Sequence, residues 1–124
     1  MRQASRQAMV FFAHGSRDPL WRRPAEAIAE RVRQLDPKLL VRCAYLESAE
    51  PDLPACVAEL AALGVAAIRV VPLFLGVGKH AREDLPRMAQ DLQSRFPGIS
   101  FNLRPAIGDD ARFVEMIAQM SLDP

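Results

Sequence analysis

The chain has two histidines, His14 and His80, and each follows a short apolar segment, as does Glu47. The three segments are Met9–Ala13, Leu39–Leu46 and Ala67–Leu73. Two imidazoles and a carboxylate suit a divalent transition metal, and three protein ligands leave coordination positions open. The same groups accept protons near neutral pH. These residues therefore predict a site that binds a metal, accepts protons or does both.

The apolar segments, with a weaker fourth at Ile99–Leu103, predict strands of a parallel sheet, because continuous apolar runs suit strands covered on both faces. Apolar residues at steps of three and four predict four helices whose stripes face the core. The stripes are Trp21, Ala25, Ile28, Val32 and Leu35; Leu53, Cys56, Val57, Leu60 and Leu63; Leu85, Met88, Leu92 and Phe96; and Phe113, Ile117 and Met120.

Prolines and glycines indicate where these helices begin and end. We expect Pro24, Pro54 and Pro86 in first helical turns, where a proline costs little. Gly64 is expected to end the second helix and Pro97-Gly98 the third. His80 would then lie in a glycine-flanked loop before the third helix.

The order of elements, βαβαβαβα, predicts one α/β domain over residues 1–124 with a core over about residues 8–120. We expect a three-layer sandwich, with an open four-stranded parallel sheet in the order 2-1-3-4 and helices on both faces. In this order the winding reverses between strands 1 and 3, and ligands bind at the carboxyl ends beside such a reversal. The two histidines follow these two strands and so flank the predicted binding edge.

Composition excludes several classes of function. Half of the 124 residues are hydrophobic and 25% are charged, as in globular domains. The net charge of +1 argues against a general nucleic-acid binder. The longest apolar stretch, Val70–Gly78, is too short for a membrane span. The isolated Cys43 and Cys56 and the polar start of the chain predict a reduced, cytoplasmic protein without a membrane partner.

Cations and apolar residues surround the predicted edge. The cations are Arg17, Arg22, Arg23, Lys79 and Arg82, and the apolar wall beside His80 comprises Leu73, Phe74, Leu75 and Val77. Together they favour a flat apolar ligand with acidic substituents, because guanidinium groups bind carboxylates well. Arg22 and Arg23 are equally consistent with solvated helix starts.

Simpler interpretations of the site stay open. Each histidine alone is consistent with a hydrogen-bonded loop residue. Glu47, with the polar residues up to Asp52, could help cap the second helix. Asp84 could cap the third helix or orient the imidazole of His80.

Two phosphate-related motifs form weaker alternatives. Gly76–Ala81 matches the dinucleotide fingerprint GxGxx[G/A], but Asn102 and Arg104 stand where its acidic partner is expected. Ala13-His14-Gly15 is similar to a phosphohistidine nucleophile, which needs a dense arginine cage and usually follows an arginine rather than Ala13. A nucleotide-binding or phosphoryl-transfer protein is thus a third hypothesis.

Three ordered motifs carry a family resemblance: Val10–Pro19, Tyr45–Pro51, and Val70–Leu75 followed by Gly78-Lys79-His80 and Asp84–Pro86. They resemble the short CbiX-type sirohydrochlorin cobaltochelatases, which are class II chelatases related to the sirohydrochlorin ferrochelatases. The likeness extends from about Val10 to Ile117, nearly the whole chain.

The resemblance implies insertion of a divalent metal substrate, Co²⁺ or else Fe²⁺ or Ni²⁺, into sirohydrochlorin for cobalamin or sirohaem, without an organic cofactor. His14 and His80 would bind the metal and accept protons, assisted by Glu47. We expect the tetrapyrrole to contact Ser16, Arg17, Phe74, Leu75, Gly78, Lys79 and Arg82. A non-catalytic metal carrier that uses the same histidines is the alternative.

The resemblance also implies a homodimer, and the length of the chain agrees. Ligand pockets enclose most of their ligand, and one edge of a four-stranded sheet offers few walls. We therefore expect two copies to meet around the site. Since only neutral imidazole binds a metal, we expect activity to fall as the pH drops through about 6–7.

Overall fold

The computed structural model describes residues 6–124, so the first five residues of the expected domain lie outside the described residues. Strands and helices alternate as predicted: β1 (Arg6–Ala13), α1 (Arg23–Leu35), β2 (Leu40–Tyr45), α2 (Leu53–Ala62), β3 (Val65–Pro72), α3 (Lys79–Arg95), β4 (Ser100–Leu103) and α4 (Ala111–Leu122). Short 3₁₀ turns at Pro19–Arg22 and Ile107–Asp109 precede α1 and α4.

The four strands form a parallel sheet in the order β2-β1-β3-β4, which confirms the predicted topology. Pairing extends beyond the strands at the carboxyl edge. The backbone N–H of Leu46 donates to the carbonyl oxygen of Ala13, and that of Leu73 donates to Phe12, both at 2.8 Å. The segments that leave β1, β2 and β3 therefore stay side by side as they enter the predicted site.

Alternating side chains of β1 pack into two apolar layers, one on each face of the sheet. Phe12 lies in a large core with residues of α2 and α3 such as Leu60 and Leu92. Phe11 lies in a smaller core with Ala29 of α1 and Val41. Burying each phenylalanine side chain contributes roughly 1.5–3 kcal/mol, so an apolar run with no polar alternation is what this strand requires.

Most predicted helix ends are confirmed. Pro24 and Pro54 lie in first turns, the carboxylate of Asp52 accepts a 2.8 Å hydrogen bond from the N–H of Ala55, and α2 ends before Gly64 with a φ of +81°. The left-handed backbone at this position favours glycine.

The predicted start of the third helix is wrong. α3 begins at Lys79, directly after Gly78, so Pro86 lies inside the helix and Asp84 cannot cap it. Asp84 instead lies 3.9 Å from Arg87 across one turn. The helix starts early because the N–H of Arg82 already bonds to the carbonyl oxygen of Gly78 at 3.0 Å. His80 is therefore in the first turn of α3 rather than in a loop.

The stripes of α2 and α3 face the core as predicted except at Leu63, which lies just after α2 and is 40% exposed, whereas those of α1 and α4 do so only in part. α1 buries Ala25 and Ala29, whereas Ile28 is 42% exposed, and Trp21 and Leu35 are also exposed. α4 buries no residue, and Ile117 and Met120 are 42% and 64% exposed. α4 packs mainly on the 3₁₀ turn before it, and of its predicted stripe only Phe113 is half-buried.

Within residues 6–124, the helices are too short or too polar to cross a membrane.

Candidate active site at the carboxyl edge of the sheet

The segments after β1 and β2 are joined at His14 and Glu47. The backbone N–H of Glu47 donates to the carbonyl oxygen of His14 at 2.9 Å. Gly15 makes this approach possible, because a Cβ atom there would lie 1.7 Å from the carbonyl oxygen of Glu47. Its φ of +101° also lies in a region that side-chain-bearing residues avoid. The structure thus brings the His14 and Glu47 backbones together and requires glycine between His14 and Ser16.

The rest of this loop is shaped by its own polar side chains. The N–H of Asp18 donates to Oγ of Ser16 at 3.1 Å, and Oδ1 of Asp18 accepts from the N–H of Leu20 at 2.9 Å. Arg17 lies exposed between them. The Ser16 hydroxyl therefore accepts a hydrogen bond within the loop, and its contact with substrate stays a prediction.

The imidazole of His14 packs against the ring of Phe74, with 4.5 Å between ring centroids and an angle of 48° between ring planes. Phe74 is only 3% exposed and also packs edge-on against Phe12 at 6.0 Å. Phe74 was predicted to lie in the apolar wall beside His80, and its burial places it behind this edge, so contact between Phe74 and a substrate stays a prediction. Phe74 supports His14 from the core, whereas its neighbour Leu75 is 74% exposed.

Gly108 holds the loop that carries Phe74. The backbone N–H of Gly108 donates to the carbonyl oxygen of Phe74 at 3.0 Å, and a Cβ atom at Gly108 would lie 1.7 Å from the carbonyl oxygen of Leu75. Gly108 is not among the residues that the sequence predicts for the site. The only local signal was a glycine just before the fourth helix, and its contact with Leu75 is visible only in three dimensions.

The first turn of α3 brings a histidine and two cations to the same edge. Lys79, His80 and Arg82 are all exposed, and Gly78 has open space around its α-carbon. The amino end of a helix carries a partial positive charge. The cationic side chains add to it rather than offset it, so this turn favours an anionic ligand.

Arg22 differs from the solvated helix start that one interpretation predicted. The side chain is half-buried, and its Nε atom is buried without a hydrogen-bond partner among residues 6–124. Nearby, burial raises the pKa of Tyr45 to about 12, with smaller contributions from Cys43 and Glu26. The Tyr45 hydroxyl is therefore neutral at physiological pH and can supply no base.

The expected ligand set does not form a closed metal cage. Across residues 6–124, no three side chains of His, Cys, Asp or Glu converge tightly enough to hold an ion. His14, Glu47 and His80 are exposed, and each follows a different one of three adjacent strands. The arrangement is an open edge with two imidazoles, a carboxylate and a cationic rim.

Comparison with known proteins assigns the chain to a family. The family model described as CbiX matches residues 8–123. The chain belongs to the CbiX family. This assignment agrees with the resemblance drawn from the three sequence motifs.

Solved CbiX-like structures share the fold. A CbiX protein from Marinobacter aquaeolei VT8 is 33% identical, with a TM-score of 0.80 and 93% of each chain covered. The sirohydrochlorin chelatase SirB from Bacillus subtilis subspecies spizizenii, solved in complex with cobalt, is 28% identical with a TM-score of 0.78. The match covers 95% of this chain but 50% of that one.

A curated relative, the sirohydrochlorin cobaltochelatase of Methanopyrus kandleri, is 40% identical over 81 residues. The match covers 65% of this chain and 57% of the relative. The chain spans 57–62% of the length of the first curated relatives it matches.

Proposed function

We propose that this CbiX-family chain is a chelatase that inserts a divalent metal into sirohydrochlorin. The observation that carries the proposal is the exposed His14, packed on buried Phe74 and tied through its backbone to Glu47, at the edge that also bears His80. Relatives named sirohydrochlorin cobaltochelatase and ferrochelatase support the substrate.

Metallation removes the inner pyrrole N–H protons and replaces metal-bound water with ring nitrogens. Neutral imidazoles of His14 and His80 can hold the ion and accept these protons, and the carboxylate of Glu47 can assist. An open edge suits this reaction, because the ring nitrogens must reach the ion and complete its coordination. A closed cage of protein ligands would retain the metal instead.

The cations around the edge fit the periphery of a polycarboxylate tetrapyrrole. Lys79 and Arg82, at the positive end of α3, can bind its carboxylates, and Arg17 can do so from the loop after β1. Leu75 provides exposed apolar surface for the macrocycle. Ser16 and Gly78 are further proposed contacts with the ring, from the loop after β1 and from the segment before α3.

Co²⁺ is the first choice of metal substrate, with Fe²⁺ or Ni²⁺ as alternatives, because imidazole and carboxylate ligands accept all three. Structures of SirB with cobalt and with Fe³⁺ support cobalt and iron. The product would enter cobalamin or sirohaem synthesis, and the chemistry needs no organic cofactor. The free thiols of Cys43 and Cys56 favour a reducing, cytoplasmic location.

We infer that the working enzyme is a homodimer. α4 exposes a stripe of large apolar side chains, and an apolar cavity of about 500 Å³ lies between α1 and α4 beside Leu75. Exposed apolar surface of this kind is typical of an interaction site. SirB, of which this chain covers 50%, has room for two such units in one chain, so a second copy is the natural occupant.

The test is anaerobic incubation of the protein with sirohydrochlorin and Co²⁺, Fe²⁺ or Ni²⁺, with the absorption change followed over time. The proposal expects insertion well above the rate without protein for at least one metal. Calorimetric titration with each metal separates the alternative carrier function. A carrier would bind the metal tightly and leave the insertion rate at the uncatalysed value, and that result would contradict the proposal.

A further inference from the structure

β3 carries a charged residue in the middle of its apolar run. Arg69 lies beside Met9 of β1 and Asn102 of β4 in the sheet. Strands of parallel sheets are usually covered on both faces, which makes an exposed arginine here unusual. The face is open because α1 packs on β1 and β2, whereas α4, which would complete the layer, buries no residue.

A cavity of about 490 Å³ lies on this open half of the sheet. Met9, Phe11 and Val71 form its apolar floor, and the segment after β4 forms its wall. Arg69 and Arg104 both line the cavity. Arg104 is held in place because its backbone N–H donates to the carbonyl oxygen of Val70 at 2.9 Å.

The two guanidinium groups have no ion pair and no side-chain hydrogen bond among residues 6–124. Arg42, on the outer strand β2, shows the contrasting case, since it pairs with Glu59 at 3.0 Å. Arg42 thus has a carboxylate partner on a neighbouring helix, whereas Arg69 and Arg104 have none among residues 6–124. Around the cavity, two arginine side chains can bind an anion that residues 6–124 do not supply.

The other charges of the cavity leave it cationic. Arg112 is paired with Asp110 at 2.7 Å, and that carboxylate also accepts from the backbone N–H of Arg112 at the start of α4. Asp109 is the one remaining carboxylate of the lining. Two unpaired guanidinium groups face one unpaired carboxylate, so a bound anion would meet a net positive charge.

We propose that this cavity binds an organic carboxylate, with the carboxylate on Arg69 and Arg104 and the apolar body on the floor of the sheet. A guanidinium group presents a planar fork that matches a carboxylate. The volume lies in the range of small-molecule sites, and the lining combines an apolar floor with charged groups around it. The carboxylate comes either from the periphery of the tetrapyrrole, which rests on the proposed function, or from a separate small polycarboxylate.

The test is calorimetric titration with citrate and, separately, with sirohydrochlorin, on the full chain. The variant is Arg69→Gln/Arg104→Gln, and the matched control is Arg87→Gln, an exposed arginine of α3 on the opposite face. We expect the double substitution to weaken binding of at least one of these ligands by about tenfold or more, from the loss of charge-assisted hydrogen bonds. The control should retain its affinity within about twofold.

Competition between the two ligands identifies the source of the carboxylate. If citrate displaces sirohydrochlorin, the cavity takes carboxylates of the tetrapyrrole, and if both bind together the site is separate. Unchanged affinity for both ligands in a folded double variant would overturn the inference. Arg104→Gln alone, outside the strands, provides the same comparison if the double variant does not fold.

The failure of this inference is distinct from failure of the proposed function. A protein that binds citrate through Arg69 and Arg104 but does not metallate sirohydrochlorin would retain the cavity site and lose the chelatase. A protein that metallates sirohydrochlorin with unchanged affinity for both ligands in the double variant would do the reverse.

Discussion

Gly15→Ala is a small change that should separate the loop after β1, which carries His14, from the segment after β2, which carries Glu47. The new Cβ atom would be built 1.7 Å from the carbonyl oxygen of Glu47, whereas real Cβ contacts lie at 3.0 Å or more. The neighbouring atom is backbone, so no side chain can rotate out of the way. Either the loop after β1 or the segment at Glu47 must move, and the hydrogen bond between Glu47 and His14 is lost.

Two effects set the size of the change. A side-chain-bearing residue at the φ of +101° adds strain of roughly 1–2 kcal/mol to the cost of the collision. Activity is more sensitive, because a displacement on the order of 1 Å in a catalytic geometry costs about 100-fold in rate. We therefore expect Gly15→Ala to destabilise the fold and to lower kcat for metal insertion by about two orders of magnitude.

The chain supplies its own controls. Gly64 also has a positive φ, of +81°, but open space around it and a position at the end of α2. Gly98 has no positive φ, and a Cβ atom there would meet no neighbouring atom. Insertion kinetics and urea unfolding of all three alanine variants separate the effects. Gly64→Ala should lose stability and keep kcat, and Gly98→Ala should change little. A Gly15→Ala protein with full kcat would refute the account of the site.

Phe74→Leu should cost about 1 kcal/mol of unfolding free energy, and should lower kcat about tenfold because His14 loses its aromatic support; unchanged kinetics would refute that role. Burial raises the pKa of Cys56 to about 12, because the folded protein favours the neutral thiol. The contribution of this buried thiol to folding stability is complete below about pH 8.5 and is lost as the pH rises towards 12. Between pH 8 and pH 11 the unfolding free energy should fall less for Cys56→Ala than for the wild type. An equal fall in the two proteins would contradict this prediction. Ile117→Glu should turn a dimer into a monomer in light scattering while Gln90→Glu does not, and a monomeric wild type would exclude the dimer.

The strand order and the edge of the sheet could be predicted from the sequence because both depend on simple patterns. Continuous apolar runs such as Met9–Ala13 mark buried parallel strands, and alternation with helices determines the crossovers. The residues that follow these runs then meet at one edge. The placement of His14 and Glu47 at this edge follows from this topology.

Contacts between segments that are distant along the chain could not be predicted from the sequence. The packing of Gly108 against Leu75 and of His14 on Phe74 depends on exact loop paths. Periodicity also cannot tell a helix face buried in the core from an exposed one, which is why the predicted burial of the α4 stripe is wrong at Ile117 and Met120. The early start of α3 could not be predicted, because Pro86 suggested a later first turn. The hydrogen bond from the N–H of Arg82 to the carbonyl oxygen of Gly78 begins the helix sooner.

The central claim is that the two histidines at the carboxyl edge carry out metal insertion. The most direct measurement compares insertion of Co²⁺ into sirohydrochlorin by the wild type, His14→Ala and His80→Ala, each shown to be folded by circular dichroism. The account predicts that each substitution lowers the rate by at least about 100-fold, as expected for loss of a proton acceptor or metal ligand. Wild-type rates in both folded variants would contradict it.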